Sequence, residues 1–163
     1  MTQTTTPSTP TTVRTRIVVD AAIDHAFHVF TAGIAGWWNP DHHIIEAPLK
    51  DMVFEPRVGG HVYDVGTDGS ECRWSRVLAY DPPERVVFTW DINLQWQLET
   101  DPARTSEVEV RFTAQGPSQT LVELEHRHLD RHGEGWEQMR TAVGSPGGWD
   151  GGLSLFARAV ARG

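Results

Sequence analysis

Two histidines near the end of the chain have a spacing that could do chemistry. His126 and His128 alternate with charged residues in the segment 120–128, so both side chains project from one face of a predicted strand. An imidazole that faces an apolar interior can act as a general acid or base near neutral pH, or as the polar anchor of a ligand. The structural alternative is a ring bonded to Tyr63 or to a backbone carbonyl. We take His126 as the candidate catalytic residue and leave both roles open.

The same histidines allow a metal-binding interpretation. Two imidazoles on one strand face, with His132 and the carboxylate of Glu134 nearby in sequence, are compatible with a metal site. No further ligand is securely placed, so no metal is predicted. No cofactor is predicted either, because the glycine-rich stretches lack the spacing of phosphate-binding loops. The chain also contains no GxSxG, HExxH or CxxC motif.

Bulky aromatic residues predict the wall of an apolar interior. In the stretch DPPERVVFTW (81–90), two prolines end one strand, and Val86, Phe88 and Trp90 share one face of the next. The chain has seven tryptophans, and tryptophan often lines apolar cavities. A Trp37–Trp38 pair would either gate such a cavity or plug the open end of the core. The residues expected to line a ligand site are Trp37, Trp38, Tyr63, Phe88, Trp90, Val110, His126, Met139 and Phe156.

Hydrophobic periodicity gives the elements that must position these residues. Alternation predicts strands over 13–19, 44–49, 52–55, 61–65, 71–80, 85–92, 107–112 and 120–128. Helical spacing predicts a helix over 23–30, a short helical turn before Trp37, and two C-terminal helices. Five glycines and a proline in 144–152 must interrupt the C-terminal helix. The predicted class is α+β: a curved antiparallel sheet wrapped around a long, interrupted C-terminal helix, with two short helices after the first strand.

The amino-acid composition limits the kinds of molecule that the protein is expected to bind. The 163 residues suit one domain, predicted over 13–163, after a Thr- and Pro-rich tail over 1–12 that is predicted to be disordered. A formal net charge of −8 argues against nucleic acid and anionic membranes as partners. No apolar run is long enough to cross a membrane, and a single cysteine fits a reducing cytoplasm.

The chain resembles the START-like (SRPBCC) superfamily, and within it the bacterial proteins similar to the activator of heat-shock protein 90 ATPase. The stretches that carry the resemblance are FTA (30–32), WWNP (37–40), FEPRVGG (54–60), DPPERVVFTW (81–90), LEH (124–126), GW (135–136) and GW (148–149). The resemblance implies the helix-grip fold but no single activity, because lipid carriers, cyclases, hydroxylase subunits and co-chaperones share that fold. Many relatives have a glycine early in the strand that here carries WSRV (74–77), and Trp74 would shrink or reshape any cavity.

Three functions follow from these observations. The first is a binding protein that holds a small hydrophobic or aromatic molecule between the sheet and the C-terminal helix. The second is a cyclase-like or hydrolase-like enzyme that uses the same cavity, with His126 moving a proton. The third, which only the resemblance implies, is a module that acts on a chaperone ATPase. An exposed sheet edge would also permit a homodimer.

Overall fold

Seven antiparallel strands form one curled sheet. The computed structural model describes residues 10–39 and 42–162, so most of the predicted tail, residues 1–9, lies outside the described residues. The strands follow one another across the sheet in the order β1-β7-β6-β5-β4-β3-β2. Their bounds are β1 (Val13–Val19), β2 (Leu49–Phe54), β3 (His61–Gly66), β4 (Glu71–Asp81), β5 (Arg85–Trp90), β6 (Ser106–Gly116) and β7 (Gln119–Arg127). This sheet, with the C-terminal helical segment packed on it, confirms the predicted helix-grip α+β fold.

The helices lie where hydrophobic spacing predicts them. Helix α1 (Ile23–Phe30) follows β1 and is succeeded by a short 3-10 turn at Ile34–Gly36. The C-terminal segment consists of α2 (Trp136–Val143), one wide turn at Pro146–Asp150, and α3 (Gly151–Arg162). None of the helices in the described ranges is long and apolar enough to cross a membrane.

Some predicted strand limits were wrong. The segments 44–49 and 52–55 do not form two strands, because a single strand, β2, begins only at Leu49. Pro48 directly precedes it and has no amide hydrogen for a sheet ladder. The strand predicted over 120–128 ends at Arg127, because His128 adopts a left-handed backbone conformation with φ of 61°. His128 therefore does not continue the inward-facing set that ends at His126.

The face of strand β3 that points into the interior is not the face that contains Tyr63, which was predicted to line the cavity. Val62 and Asp64 are buried, whereas Tyr63 is only half-buried. The guanidinium of Arg73 lies over the Tyr63 ring, 4.7 Å from its centroid. Asp64 is thus the polar side chain that β3 directs into the interior.

The middle of the interface between sheet and helix is solid. Phe30 of α1 packs against Phe156 of α3 and Phe112 of β6, with ring centroids 5.4 and 5.7 Å apart. The largest fully buried side chains that fill this region include Phe30, Phe88, Phe156, Leu124, Met139 and Leu153. Free space therefore lies at one end of the interface, beside the break between α2 and α3.

That break depends on a glycine. A Cβ atom added to Gly148 would lie 2.3 Å from the carbonyl oxygen of Val143 and 2.6 Å from that of Ala142. Both obstacles are backbone, so they cannot move aside without distorting the end of α2. Gly147, by contrast, has nothing within 4 Å of such an atom. The close return of the chain at Gly148 places the next residue, Trp149, against the sheet.

The different surroundings of Gly147 and Gly148 give a matched pair of variants. Gly148→Ala should lower the free energy of unfolding by about 2 kcal/mol or more, because the added methyl group overlaps backbone atoms. Gly147→Ala should change it by less than about 0.5 kcal/mol, because its methyl group enters open space. Urea denaturation followed by circular dichroism measures both. Equal effects in the two variants would contradict the close return described here.

Candidate functional site

A cavity of about 550 Å³ opens at the end of the sheet beside the glycine-rich break. Strands β3, β4 and β5 contribute Asp64, Trp74 and Trp90 to its wall. The residues after the 3-10 turn contribute Trp37 and Trp38, and the break between α2 and α3 contributes the remaining side of the wall. The loop after β5 and the segment 42–44 complete it.

Tryptophan dominates the wall. Six of the seven tryptophans line the cavity, and they are Trp37, Trp38, Trp74, Trp90, Trp96 and Trp149. Four of them form a closed set of ring contacts, which we call the indole cycle: Trp38, Trp74, Trp90 and Trp149. Their successive centroids lie 5.4, 5.6, 5.6 and 5.8 Å apart, at tilted or edge-to-face angles. Contacts of this kind favour particular ring geometries and so hold the wall in one shape.

Most of these indoles are also held by a hydrogen bond from the ring nitrogen. Trp37 donates to the carbonyl of Val29, and Trp38 donates to that of His42, at 3.0 and 2.8 Å. Trp74 Nε1 donates to Asp64 Oδ1 at 3.0 Å. The buried Nε1 of Trp90 has no partner among the residues that the structure describes.

Asp64 is the buried carboxyl group of the cavity. Asp64 is 1% exposed, and its Oδ2 atom makes no hydrogen bond of good geometry within the described part of the chain, although the amides of Ile44 and Ile45 lie close to the carboxyl group. Burial raises the pKa of Asp64. The bond from Trp74, the nearby amides of Ile44 and Ile45, and His43 favour the charged form without reversing that shift. Asp64 therefore binds a proton more readily than an exposed aspartate.

His126 lies directly behind the indole cycle. It is fully buried, and its ring centroid is 5.3 Å from that of Trp90 and 6.0 Å from that of Trp149. Trp149 Nε1 donates to His126 Nδ1 at 3.0 Å. His126 Nε2 lies 2.7 Å from the hydroxyl oxygen of Ser106, which in turn lies 2.7 Å from His132 Nε2. Strand register explains the meeting: His126 pairs with Val108, so Ser106 is its diagonal neighbour on the same face.

The identity of the donors fixes the direction of the hydrogen bonds that run from Trp149 to His132. A ring nitrogen that accepts a hydrogen bond carries no proton, so neutral His126 is protonated on Nε2 and donates to Ser106. The Ser106 hydroxyl can then donate to His132 Nε2. Burial, helped by the proximity of His132, lowers the pKa of His126 to about 3, and burial also lowers the pKa of His132. Both rings are therefore neutral at physiological pH.

The predicted site residues occupy four environments. Trp37, Trp38 and Trp90 line the cavity. His126 lies one layer behind it, and Tyr63 lies on the outer face of β3. The remaining four are buried in the solid part of the core: Phe88, Val110, Met139 and Phe156. A role in ligand binding stays a prediction for each of them. The partners weighed for His126 were wrong, because its ring bonds to Ser106 and Trp149.

Several residues of the site were missed. Asp64 depends on which face of β3 is buried, and alternation alone does not decide that face. Ser106 was not considered, and His132, considered only as a metal ligand, is joined to His126 through Ser106 by strand register and the turn after β7. Among the described residues, no group of three or more His, Cys, Asp and Glu side chains is placed to hold a metal ion.

Most of the chain matches the model of a known protein family. Residues 20–160 match the family model described as "Activator of Hsp90 ATPase homolog 1-like protein". The chain belongs to this family. That result confirms the resemblance to the START-like (SRPBCC) superfamily. Among curated proteins, none matches this member of the family.

Solved structures share the fold over nearly the whole chain. One is named an anthrahydroquino-γ-pyrone synthase, Txn09, complexed with SUM. It is 41% identical, covers 93% of this chain and 97% of its own, and has a TM-score of 0.66. Another is CalC from Micromonospora echinospora, named a self-sacrificing resistance protein, with 28% identity, coverage of 94% and 95%, and a TM-score of 0.66. Protein NE0264 from Nitrosomonas europaea, at 12% identity and a TM-score of 0.67, covers 93% of this chain and 94% of its own and shares the fold alone.

The buried histidine predicts a specific dependence of stability on pH. The folded-state pKa of His126, about 3, lies below its ordinary value of 6.5, so below pH 6.5 the unfolded chain binds a proton that the folded chain does not. Stability is therefore complete above that pH and is lost as the pH falls towards 3. Between pH 7.5 and 5.5 this one residue should cost about 1.4 kcal/mol.

Urea unfolding at the two pH values tests this expectation. The stability of His126→Asn should fall by about 1.4 kcal/mol less than that of the wild type over this interval. His28→Asn, at an exposed position on α1, is the control and should keep the wild-type dependence. An unchanged pH dependence in His126→Asn would overturn the assignment of a neutral, buried imidazole.

Proposed function

We propose that this chain binds a planar, polycyclic aromatic molecule in the tryptophan-lined cavity. The observation that carries the proposal is that the indole cycle forms part of the wall of a cavity of about 550 Å³. That volume lies within the usual range for small-molecule sites, and a wall rich in aromatic rings with few polar groups is typical of them. Burial of apolar ligand surface would provide most of the binding free energy.

The similarity to solved structures supports this ligand class. The neighbour that is 41% identical carries the name of a synthase of an anthrahydroquino-γ-pyrone, which is a fused aromatic compound. The cavity of the present chain offers flat aromatic surfaces to a molecule of that kind. A predominantly aliphatic lipid would leave these surfaces without their best partners.

A second candidate function is closure of an oxygen-containing ring on such a molecule. The 41% identity to a γ-pyrone synthase over nearly the full length of both chains favours it. In such a step a hydroxyl oxygen of the substrate would add to an unsaturated carbon–carbon bond of the same molecule. A base would take the hydroxyl proton and return it to the adjacent carbon, so the product would be an isomer of the substrate.

Asp64 is better placed than His126 for this proton transfer. Both ring nitrogens of His126 are bonded within the protein, and His126 is not among the residues that line the cavity. Asp64 lines the cavity, and its raised pKa makes its carboxylate a stronger base than an exposed one.

A homodimer and a chaperone partner remain predictions from the sequence.

Titration with anthraquinone tests the binding proposal. The wild-type protein should bind it, with quenching of tryptophan fluorescence and a heat signal in calorimetry. Trp38→Ala should weaken the affinity about tenfold, because loss of one aromatic contact costs on the order of 1.4 kcal/mol. Trp136→Ala is the matched control, because Trp136 is half-buried but lies outside the cavity wall. The proposal fails if the wild type does not bind, or if both variants lose the same affinity.

A turnover assay tests the second function. The wild type should convert a hydroxylated anthrahydroquinone with an unsaturated side chain into an isomeric product, separated by chromatography and identical in mass. Asp64→Asn should reduce the rate at least 100-fold, in the range typical of a lost general base. Asp20→Asn, at an exposed position after β1, should retain the wild-type rate. Absence of an isomeric product with the wild type would remove this candidate while leaving the binding proposal intact.

A further inference from the structure

Trp96 differs from the other indoles of the cavity wall in its exposure and in its contacts. It is 47% exposed, whereas Trp37, Trp74, Trp90 and Trp149 are buried. Each of those four contacts another aromatic ring, but no ring contact within residues 10–39 and 42–162 involves Trp96. The Trp96 side chain therefore lies on the cavity wall and has accessible apolar surface, so a molecule in the cavity can reach it.

The backbone of Trp96 is held by a tight hairpin over 91–99. The amide of Asn93 donates to the carbonyl of Gln97 at 2.8 Å, and the amide of Trp96 donates to the carbonyl of Asn93 at 3.0 Å. The Asn93 side chain accepts two more hydrogen bonds, from the amides of Gln95 and Gln97, at 2.9 and 3.0 Å. These bonds close a three-residue loop in which Trp96 is the last residue.

This position of the loop requires a backbone conformation that suits glycine. Three-residue hairpin loops usually place a glycine in the left-handed region at their last position. Trp96 occupies that region with φ of 60°, and its Cβ atom makes the conformation unfavourable. In the turns on either side of β3, by contrast, positive φ values of 85° and 83° belong to Gly59 and Gly69. Stability alone would thus favour glycine at position 96.

Core packing does not explain why a tryptophan stands there. A bulky residue in a strained conformation persists where its side chain contributes something that glycine lacks, and such residues cluster at ligand sites. That contribution is not burial in the core, because nearly half of the Trp96 surface faces solvent. The feature that remains is the position of its indole on the cavity wall.

We infer that Trp96 is a ligand-binding residue that covers the solvent-facing side of a bound aromatic molecule. The inference rests on the proposed binding function and adds to it the residue that encloses the ligand. Small-molecule sites commonly bury more than about 70% of the ligand surface, so residues at the open side of a cavity must also contact the ligand. Contact between the indole and the aromatic ligand would offset the strain at Trp96.

Calorimetric titration with anthraquinone tests this role. Trp96→Gly should weaken the affinity about tenfold, because it removes the ring while the hairpin conformation stays allowed. Trp96→Phe should weaken the affinity less, since an aromatic face remains. Leu98→Ala is the matched control, because Leu98 lies on the same hairpin and is 42% exposed but does not line the cavity. It should keep the wild-type affinity within about twofold.

Thermal unfolding separates contact with the ligand from a structural role of Trp96. Trp96→Gly and Trp96→Ala both remove the indole, so both should lose the same affinity. Glycine adopts the left-handed conformation without strain and alanine does not, so the Tm of Trp96→Gly should exceed that of Trp96→Ala by about 2–4 °C. A loss of affinity that follows the Tm of these variants, rather than the loss of the ring, would overturn the inference.

Oxidation by N-bromosuccinimide, followed by mass spectrometry of peptides, reports on the contact directly. Trp96 should be oxidised in the free protein because its indole is exposed, and saturating anthraquinone should slow that oxidation several-fold. Trp136, which is half-buried outside the cavity wall, should react at the same rate with and without anthraquinone. Equal rates at Trp96 under the two conditions would contradict the inferred contact.

The outcomes distinguish this inference from the proposed function. Wild-type protein that binds anthraquinone, together with wild-type affinity in Trp96→Gly, would retain the binding function and overturn the role of Trp96. Failure of the wild type to bind anthraquinone would overturn both.

Discussion

The hydrogen bond from Trp149 to His126 joins the C-terminal segment to the sheet at the point where the cavity forms. Trp149 follows the close return at Gly148, and His126 is the last inward-facing residue of β7. The bond ties Trp149, one of the four members of the indole cycle, to the inner face of β7. The cavity wall is thus assembled from segments that lie far apart in the sequence, and its shape depends on the close backbone approach at Gly148, which leaves no room for a Cβ atom.

Two groups of buried polar side chains lie at this wall. Behind the indoles, Trp149, His126, Ser106 and His132 form a directed chain in which each successive donor finds an acceptor. In the wall itself, Asp64 and Trp90 each retain one unmatched atom. The hydrogen bonds of the first group stabilise the fold, although His132 Nδ1 is buried without a partner in the described part of the chain. The unpartnered atoms of Asp64 and Trp90 lower the stability of the protein.

The sequence predicts the sheet, the helices and their interruption because each rests on a local rule. Alternation on β5 and β6 and the glycine-rich break are readable without knowledge of partners. The cavity wall was predicted only in part. Trp37, Trp38 and Trp90 line it, whereas Phe88 and Phe156 are buried in the solid middle of the core. Periodicity identifies inward-facing residues, but it does not reveal which stretch of the interior is filled and which is open.

The chemical role of His126 was likewise predictable only in part from the sequence. Its parity correctly predicts an inward-facing imidazole, yet reactivity depends on what the two ring nitrogens touch. Those partners, Ser106 of β6 and Trp149 of the break after α2, lie 20 and 23 positions away, and no motif links them. Once both nitrogens are occupied and burial has lowered the pKa to about 3, the imidazole supports Trp149 rather than titrating. The carboxyl group in the cavity wall belongs to Asp64, a residue whose inward orientation alternation alone does not decide.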